Sequence, residues 1–276
     1  MSTPLRERTI NTLRVGHYSE RTIHTYIQWL IRLAAYYHRS PAELDPEQVQ
    51  AFLLHLTEAE RLAWSTVNQA LAACRFFYEK VLYRPHLELR VPARRKVTRR
   101  AFAYSKKQAL CIIAAASNPK HRALLMCVYG AGLRVSEVVV LKPEHIESQR
   151  GLIRVEQGKG RKDRYTVLPK RLLDELRSYY RCFQPGEWLF FGRDKAKPMP
   201  VGSAQKIFYQ ARNRAGIKRG GIHTLRHSFA THLLEAGGDI YELKRMMGHS
   251  AIKTTSGYIH LSTEHLMSIP SPLDTL

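Results

Sequence analysis

From Ser19 onward the apolar residues Ile23, Tyr26, Ile27, Leu30, Leu33, Ala34 and Tyr37 fall three and four positions apart. That spacing places them on one face of an α-helix. Such a helix is stable when its apolar stripe is buried against other elements, so this end of the chain has to fold as packed helices. Ser19 is the expected N-cap. A second helix opens at Asp45-Pro46-Glu47-Gln48, a capping aspartate with proline at the first helical position, and continues through Val49, Phe52, Leu53 and Leu56. A third begins at Ser65 and carries Val67, Leu71, Cys74, Phe77, Tyr78 and Val81. With a shorter helix near residues 4–14, residues 1–91 are predicted to form a small helical bundle.

The helical pattern is then interrupted. Between Pro92 and Lys107 stand Arg94, Arg95, Lys96, Arg99, Arg100, Lys106 and Lys107 with no acidic residue, which predicts a basic linker over 92–107 and a second domain over 108–276. That domain starts with helices from about Lys106 to Ala116 and Lys120 to Tyr129. Its period changes over Gly151 to Pro169, where two β-prone runs are separated by glycines and charges, a hairpin signal. Helices follow near Arg171 to Tyr180 and Ser203 to Ala215, with a short run at Glu187 to Phe191 between them. From His223 onward the pattern is helical again, with Gly237-Gly238 as a stop and Asp239 as the next cap. The expected fold is mainly α with a small antiparallel β-sheet: a helical bundle plus an α+β domain.

Charge narrows the partner. The 276 residues include 44 Lys+Arg against 23 Asp+Glu, a net charge of +21, with the excess spread over both halves. Nucleic acid is the partner such a balance favours. No run approaches the roughly 20 apolar residues needed to cross a bilayer, and MSTPLRERT lacks the apolar stretch of a signal peptide. A soluble, cytoplasmic protein without a membrane partner is expected. A linker crossing phosphates makes binding steeply salt-dependent, because each neutralised phosphate releases counterions; a solvated connection is the alternative. Cys74, Cys111, Cys127 and Cys182 form no C-x-x-C pair and read as reduced core residues, and the 13 histidines include no H-E-x-x-H. Neither a disulfide framework nor a metal site is expected.

In GAGLRVSE, residues 130–137, a helix ends in glycines and Arg134 follows on a turn, where it can line a cleft or simply pair with Glu137 at i+3. Lys159 in Gly158-Lys159-Gly160 is a hairpin-tip lysine. In HTLRHSFATHLL, residues 223–234, His223 and Arg226 stand three apart and share one helix face. An arginine cannot shuttle protons, so its pairing with a titratable histidine points to an anion site. His249 follows in MMGHS and Tyr258 in TTSGYIH, nine positions on.

With AGLRVSE, GKGRKDR, HTLRHSFATHLL, MGHS and TTSGYIH in this order, the chain resembles the tyrosine recombinase, or phage integrase, family across both domains. The resemblance implies a catalytic set of Arg134, Lys159, His223, Arg226, His249 and the nucleophile Tyr258, with Glu137 as a supporting carboxylate in the R-x-x-E pattern. It also implies a core-binding function for the N-terminal bundle. Two guanidiniums suit the negative charge that develops on a phosphodiester under attack. The phenol of Tyr258 has to lose a proton, for which His223 is the natural acceptor. Lys159 is suited to protonate the leaving 5′ oxygen, with Lys162 as runner-up or a DNA contact, while His249 donates a hydrogen bond to the phosphate. The implied reaction is DNA cleavage and rejoining through a 3′-phosphotyrosine, in integration, excision or resolution, with no ATP, metal or other cofactor. The implied partners are double-stranded recombination sites and a synaptic tetramer held through the tail from Leu261 to Leu276, in a nucleoid-associated cytoplasmic setting. Only 64 positions separate Lys159 from His223, and one bundle uses up residues 1–90, which favours an Xer-like or simple integrase layout. The rival readings are a type IB topoisomerase and a DNA-binding regulator that has lost catalysis.

Overall fold

The structure, a computed structural model, describes residues 3–84, 102–156 and 163–248. The chain divides into two compact units between Val97 and Thr98.

In the first unit the helices are α1 (Thr3–Val15), α2 (Glu20–Tyr37), α3 (Pro46–Glu58) and α4 (Trp64–Phe76), the last continuing as a π-helical turn, Phe77–Val81. The Ser19 hydroxyl accepts from the Thr22 amide and caps α2. Asp45 and Gln48 form a reciprocal capping box at α3 behind Pro46, so two otherwise orphaned amides are satisfied. The apolar stripe predicted for α2 is the one that is buried: Leu30 and Leu33 meet Val49, Phe52 and Leu53 of α3 and Val67, Leu71 and Cys74 of α4. Tyr78, fully buried, satisfies its hydroxyl on the Pro41 carbonyl at 2.6 Å.

The second unit contains α5 (Lys106–Ala114), α6 (Pro119–Gly130), the single turn α7 (Val135–Val138), strands β1 (Ile146–Glu147), β2 (Leu152–Val155) and β3 (Arg164–Val167), then α8 (Lys170–Phe183), α9 (Val201–Arg214), α10 (Ile222–Glu235) and α11 (Ile240–Met247). The sheet is antiparallel in the order β1-β2-β3, with Ile153 opposite Thr166 and Val155 opposite Arg164. The hairpin is therefore as expected; β1, two residues long, has too little sequence to carry a pattern. Leu124, Leu125, Val128, Leu133, Leu172, Phe208 and Leu225 belong to one core that joins the helices. Lys106 and Lys107, at the end of the expected linker, form the first turn of α5, capped by Ser105. Just before them, the Tyr104 amide donates to the Ser228 hydroxyl of α10 at 2.8 Å.

One sequence expectation changes. Cys74 and Cys127 are buried, but Cys111 and Cys182 are exposed, because each lies on the solvent side of a helix whose apolar neighbours face inward. The short run Glu187 to Phe191 forms one isolated bridge, Phe191 to Pro198, and is held by the Leu189 amide on the Leu141 carbonyl. Among the described residues no helix is long and apolar enough to cross a membrane.

Candidate active site

The site begins where α6 runs out. Gly132 sits at φ +63, a left-handed conformation that favours glycine, and an added Cβ there would strike the Phe229 ring of α10. This turn aims Arg134 so that it opens α7. Its amide donates to Glu137 Oε2 at 2.8 Å and its Nη1 to Glu137 Oε1 at 2.8 Å. Behind the turn, the buried Thr166 hydroxyl of β3 donates to the Ala131 carbonyl at 2.7 Å, which ties the sheet to it.

Glu137 is the hub. Its side chain is only 10% exposed, and Arg164 of β3 grips both its oxygens, Nη2 to Oε2 at 2.7 Å and Nη1 to Oε1 at 2.9 Å. Arg226 of α10 stands 3.7 Å from the same carboxylate. Burial alone would raise the Glu137 pKa; the hydrogen bonds and charges of Arg164 and Arg134 outweigh it and hold the carboxyl at about 2.

The three arginines also reach one helix end. The last carbonyls of a helix lack intrahelical partners and carry its negative dipole. At the end of α11, Met246 O accepts from Arg164 Nε at 2.8 Å, Met247 O from Arg226 Nη2 at 2.5 Å, and Gly248 O from Arg134 Nη2 at 3.3 Å. Arg226 closes the circle by donating Nη1 to the Gly132 carbonyl. Gly248 caps α11 at φ +61, and a Cβ there would lie 3.0 Å from Arg164 Nε.

His223 lies in the first turn of α10 and is an exposed residue, its ring only partly withdrawn from water. Burial, then the charges of Arg226 and Arg134, push its pKa below the ordinary histidine value, with Glu137 opposing. A shift in this direction favours the uncharged imidazole, the form that can accept a proton. His227, one turn on with its ring centroid 6.2 Å away, is shifted the same way by burial and by His223 and Arg226.

Of the residues singled out in the sequence, Arg134, Glu137, His223 and Arg226 are thus brought together. Lys159, Lys162, His249, Tyr258 and the basic residues Arg94, Arg95, Lys96, Arg99 and Arg100 lie outside the described residues. Sequence reasoning missed Arg164, although it closes the quoted GKGRKDR. Its signal was its place as the first residue of a strand beside a buried acid, which spacing alone does not reveal. Among the described residues no cluster of three His, Cys, Asp or Glu could hold a metal ion.

Residues 103–265 match the phage integrase family, and residues 5–88 match the phage integrase N-terminal SAM-like domain. A putative integrase/recombinase, y4qK, of Sinorhizobium fredii is 34% identical over 276 residues, covering 99% of this chain and 90% of that protein. The tyrosine recombinase XerA of Thermococcus kodakarensis is 34% identical over 245 residues, 86% of each chain. The fold is similar to that of lambda integrase residues 75–356, solved as a dimer bound to a COC' core site, with a TM-score of 0.73 at 17% identity over 91% of this chain and 96% of that one. The chain belongs to the phage integrase family, the tyrosine-type site-specific recombinases.

Proposed function

We propose that Tyr258 attacks a DNA phosphodiester, forming a phosphorus–oxygen bond to the phenol and breaking the bond to the 5′ oxygen. His223 takes the phenol proton and Lys159, in the β2–β3 connection, supplies one to the leaving oxygen. The products are a 3′-phosphotyrosine and a 5′ hydroxyl. Rejoining reverses the step on a second strand, so the bond energy is kept and no ATP is consumed. Arg134 and Arg226 neutralise the charge developing on the non-bridging oxygens in place of a metal, and His249 adds a hydrogen bond to the phosphate. The observation that supports this reading is the convergence of Arg134 and Arg226 on one carboxylate, with His223 close enough to feel their charges, at the end of the helix from which the chain runs on to His249 and Tyr258.

In this reading the partners are duplex recombination sites in the nucleoid, within the cytoplasm. The N-terminal bundle, residues 1–91, and the catalytic domain, 108–276, both lie against DNA, and residues 261–276 dock on a neighbouring protomer to build a tetramer. The test is capture on DNA. Incubated with sheared genomic fragments and quenched in detergent, the protein is expected to carry DNA covalently on the peptide containing Tyr258, with the fragments sharing one sequence. Adducts at random sequences, or none, would sink the reading.

Two further results are expected. Lys159→Ala slows cleavage of an ordinary site but cleaves a 5′-phosphorothiolate site at close to the wild-type rate, because the departing sulfur needs no proton; lack of rescue removes Lys159 from the acid role. In the linker over 92–107, Arg94, Arg95, Lys96, Arg99 and Arg100 contact phosphates, as Lys162 does in the hairpin. Neutralising Arg94, Arg95 and Arg99 together is expected to reduce the slope of log affinity against log salt by about 2 to 3, since each contact contributes roughly 0.9. An unchanged slope would refute phosphate contact there.

A further inference from the structure

The geometry points to Arg164 as a positioning residue: we propose that it locks the end of α11, and with it the path of the chain towards the nucleophile, to the arginine clamp. The inference rests on the reading of Tyr258 given above.

Three successive carbonyls, Met246, Met247 and Gly248, are each held by a different arginine, but the three grips differ in kind. Arg134 holds Gly248 at 3.3 Å, a long bond, and its side chain is 22% exposed. It is the grip most easily exchanged for a phosphate oxygen. Arg164 is 9% exposed, bidentate on Glu137, and 2.8 Å from the Met246 carbonyl through its remaining Nε–H. A planar guanidinium with one edge on a carboxylate and its Nε on a carbonyl fixes the angle between the two elements that supply them. Here those elements are α7, which supplies Glu137 and is preceded by Arg134, and α11, while Arg164 itself belongs to β3.

Gly248 fits the same design. With a Cβ 3.0 Å from both Cδ and Nε of Arg164 and 3.1 Å from Cζ, a side chain at 248 would press on Arg164 by a few tenths of an ångström, in addition to the strain of φ +61. Arg164, beside the buried Arg226 on Met247, therefore holds α11 in register when a phosphate takes over the donors of Arg134, and it alone ties that helix end to both oxygens of Glu137. A misplacement of about 1 Å at a reacting atom costs on the order of 100-fold in rate, so this grip acts on the chemical step while leaving DNA affinity to other residues.

Arg164→Lys keeps the charge but cannot bind both Glu137 oxygens and reach Met246. The experiment compares it with wild type on a nicked duplex carrying the captured sequence, measuring adduct formation under single-turnover conditions, DNA affinity and melting temperature. The expected result is adduct formation slowed about 100-fold, with DNA affinity within about threefold, and equally slow on a 5′-phosphorothiolate. A wild-type rate, a loss that follows DNA affinity, or recovery on the phosphorothiolate would overturn the proposal, the last because it places the defect at the leaving group. Should Arg164→Lys not melt cooperatively, Gly248→Ala, which pushes the capping turn off Arg164 without removing a charge, is expected to show the same pattern, and a wild-type rate there overturns the proposal. No adduct with the wild-type protein would instead refute the nucleophile assignment.

Discussion

Tyr258→Phe is expected to bind its DNA site as the wild type does and to form no covalent adduct. In the proposed reaction the phenol oxygen is the atom that becomes esterified, and phenylalanine keeps the ring while removing that atom alone. No charge changes, so the electrostatic part of DNA binding, carried by a protein of net charge +21, is untouched. Arg134, Arg226 and His223 remain, but they stabilise and deprotonate an attack that has lost its nucleophile. In another covalent enzyme, removal of the nucleophile costs on the order of 10⁶ in rate; here, where the adduct itself is scored, the loss is complete on the assay timescale. End-labelled nicked duplex resolved on a denaturing gel gives the adduct, and a native titration gives the affinity. An adduct in the phenylalanine variant would move the nucleophile to another residue.

Much of the fold was legible because its helices announce themselves twice, by a stripe and by a cap. The buried face of α2 and the caps Ser19, Asp45 and Asp239 follow from spacing and side-chain chemistry alone. The β2–β3 hairpin was legible from its glycines, but β1 was not, because two residues carry no period. Cys111 and Cys182 show the limit of reading burial from apolar neighbours: the neighbours are buried, and the cysteines face outward. Within the site, His223 and Arg226 were legible as a helix-face pair three positions apart. Arg164 and the row of α11 carbonyls were not. They join parts of the chain 27 and 82 positions apart, Glu137 to Arg164 and Arg164 to Met246, and such contacts exist only once α7, β3 and α11 are packed. What the sequence showed were the groups proposed to meet the DNA; what it concealed was the backbone they hold.

Glu137→Ala is expected to destabilise the second unit by about 3 to 5 kcal/mol, the usual cost of breaking a buried ion pair by removing one partner. Arg164 and Arg226, 9% and 4% exposed, would be left as buried cations whose shared carboxylate is gone. The pH dependence of the wild type checks the same quantity independently. The Glu137 carboxyl sits at about 2 in the folded protein against an ordinary value of 4.5. A depressed folded pKa contributes stability that is fully present above the unfolded value and is lost as pH falls from about 4.5 through about 2. Linkage puts that contribution at roughly 3 kcal/mol. Wild type and Glu137→Ala are therefore expected to differ most near neutral pH and to converge as the solution is acidified, in urea titrations followed by circular dichroism. Parallel curves between pH 5 and pH 2 would mean that Arg164 and Arg134 do not hold this carboxylate ionised. A loss under about 1 kcal/mol at pH 7 would mean that the two guanidiniums find water when the carboxylate is removed, and the arginine clamp would then owe its geometry to the α11 carbonyls rather than to Glu137.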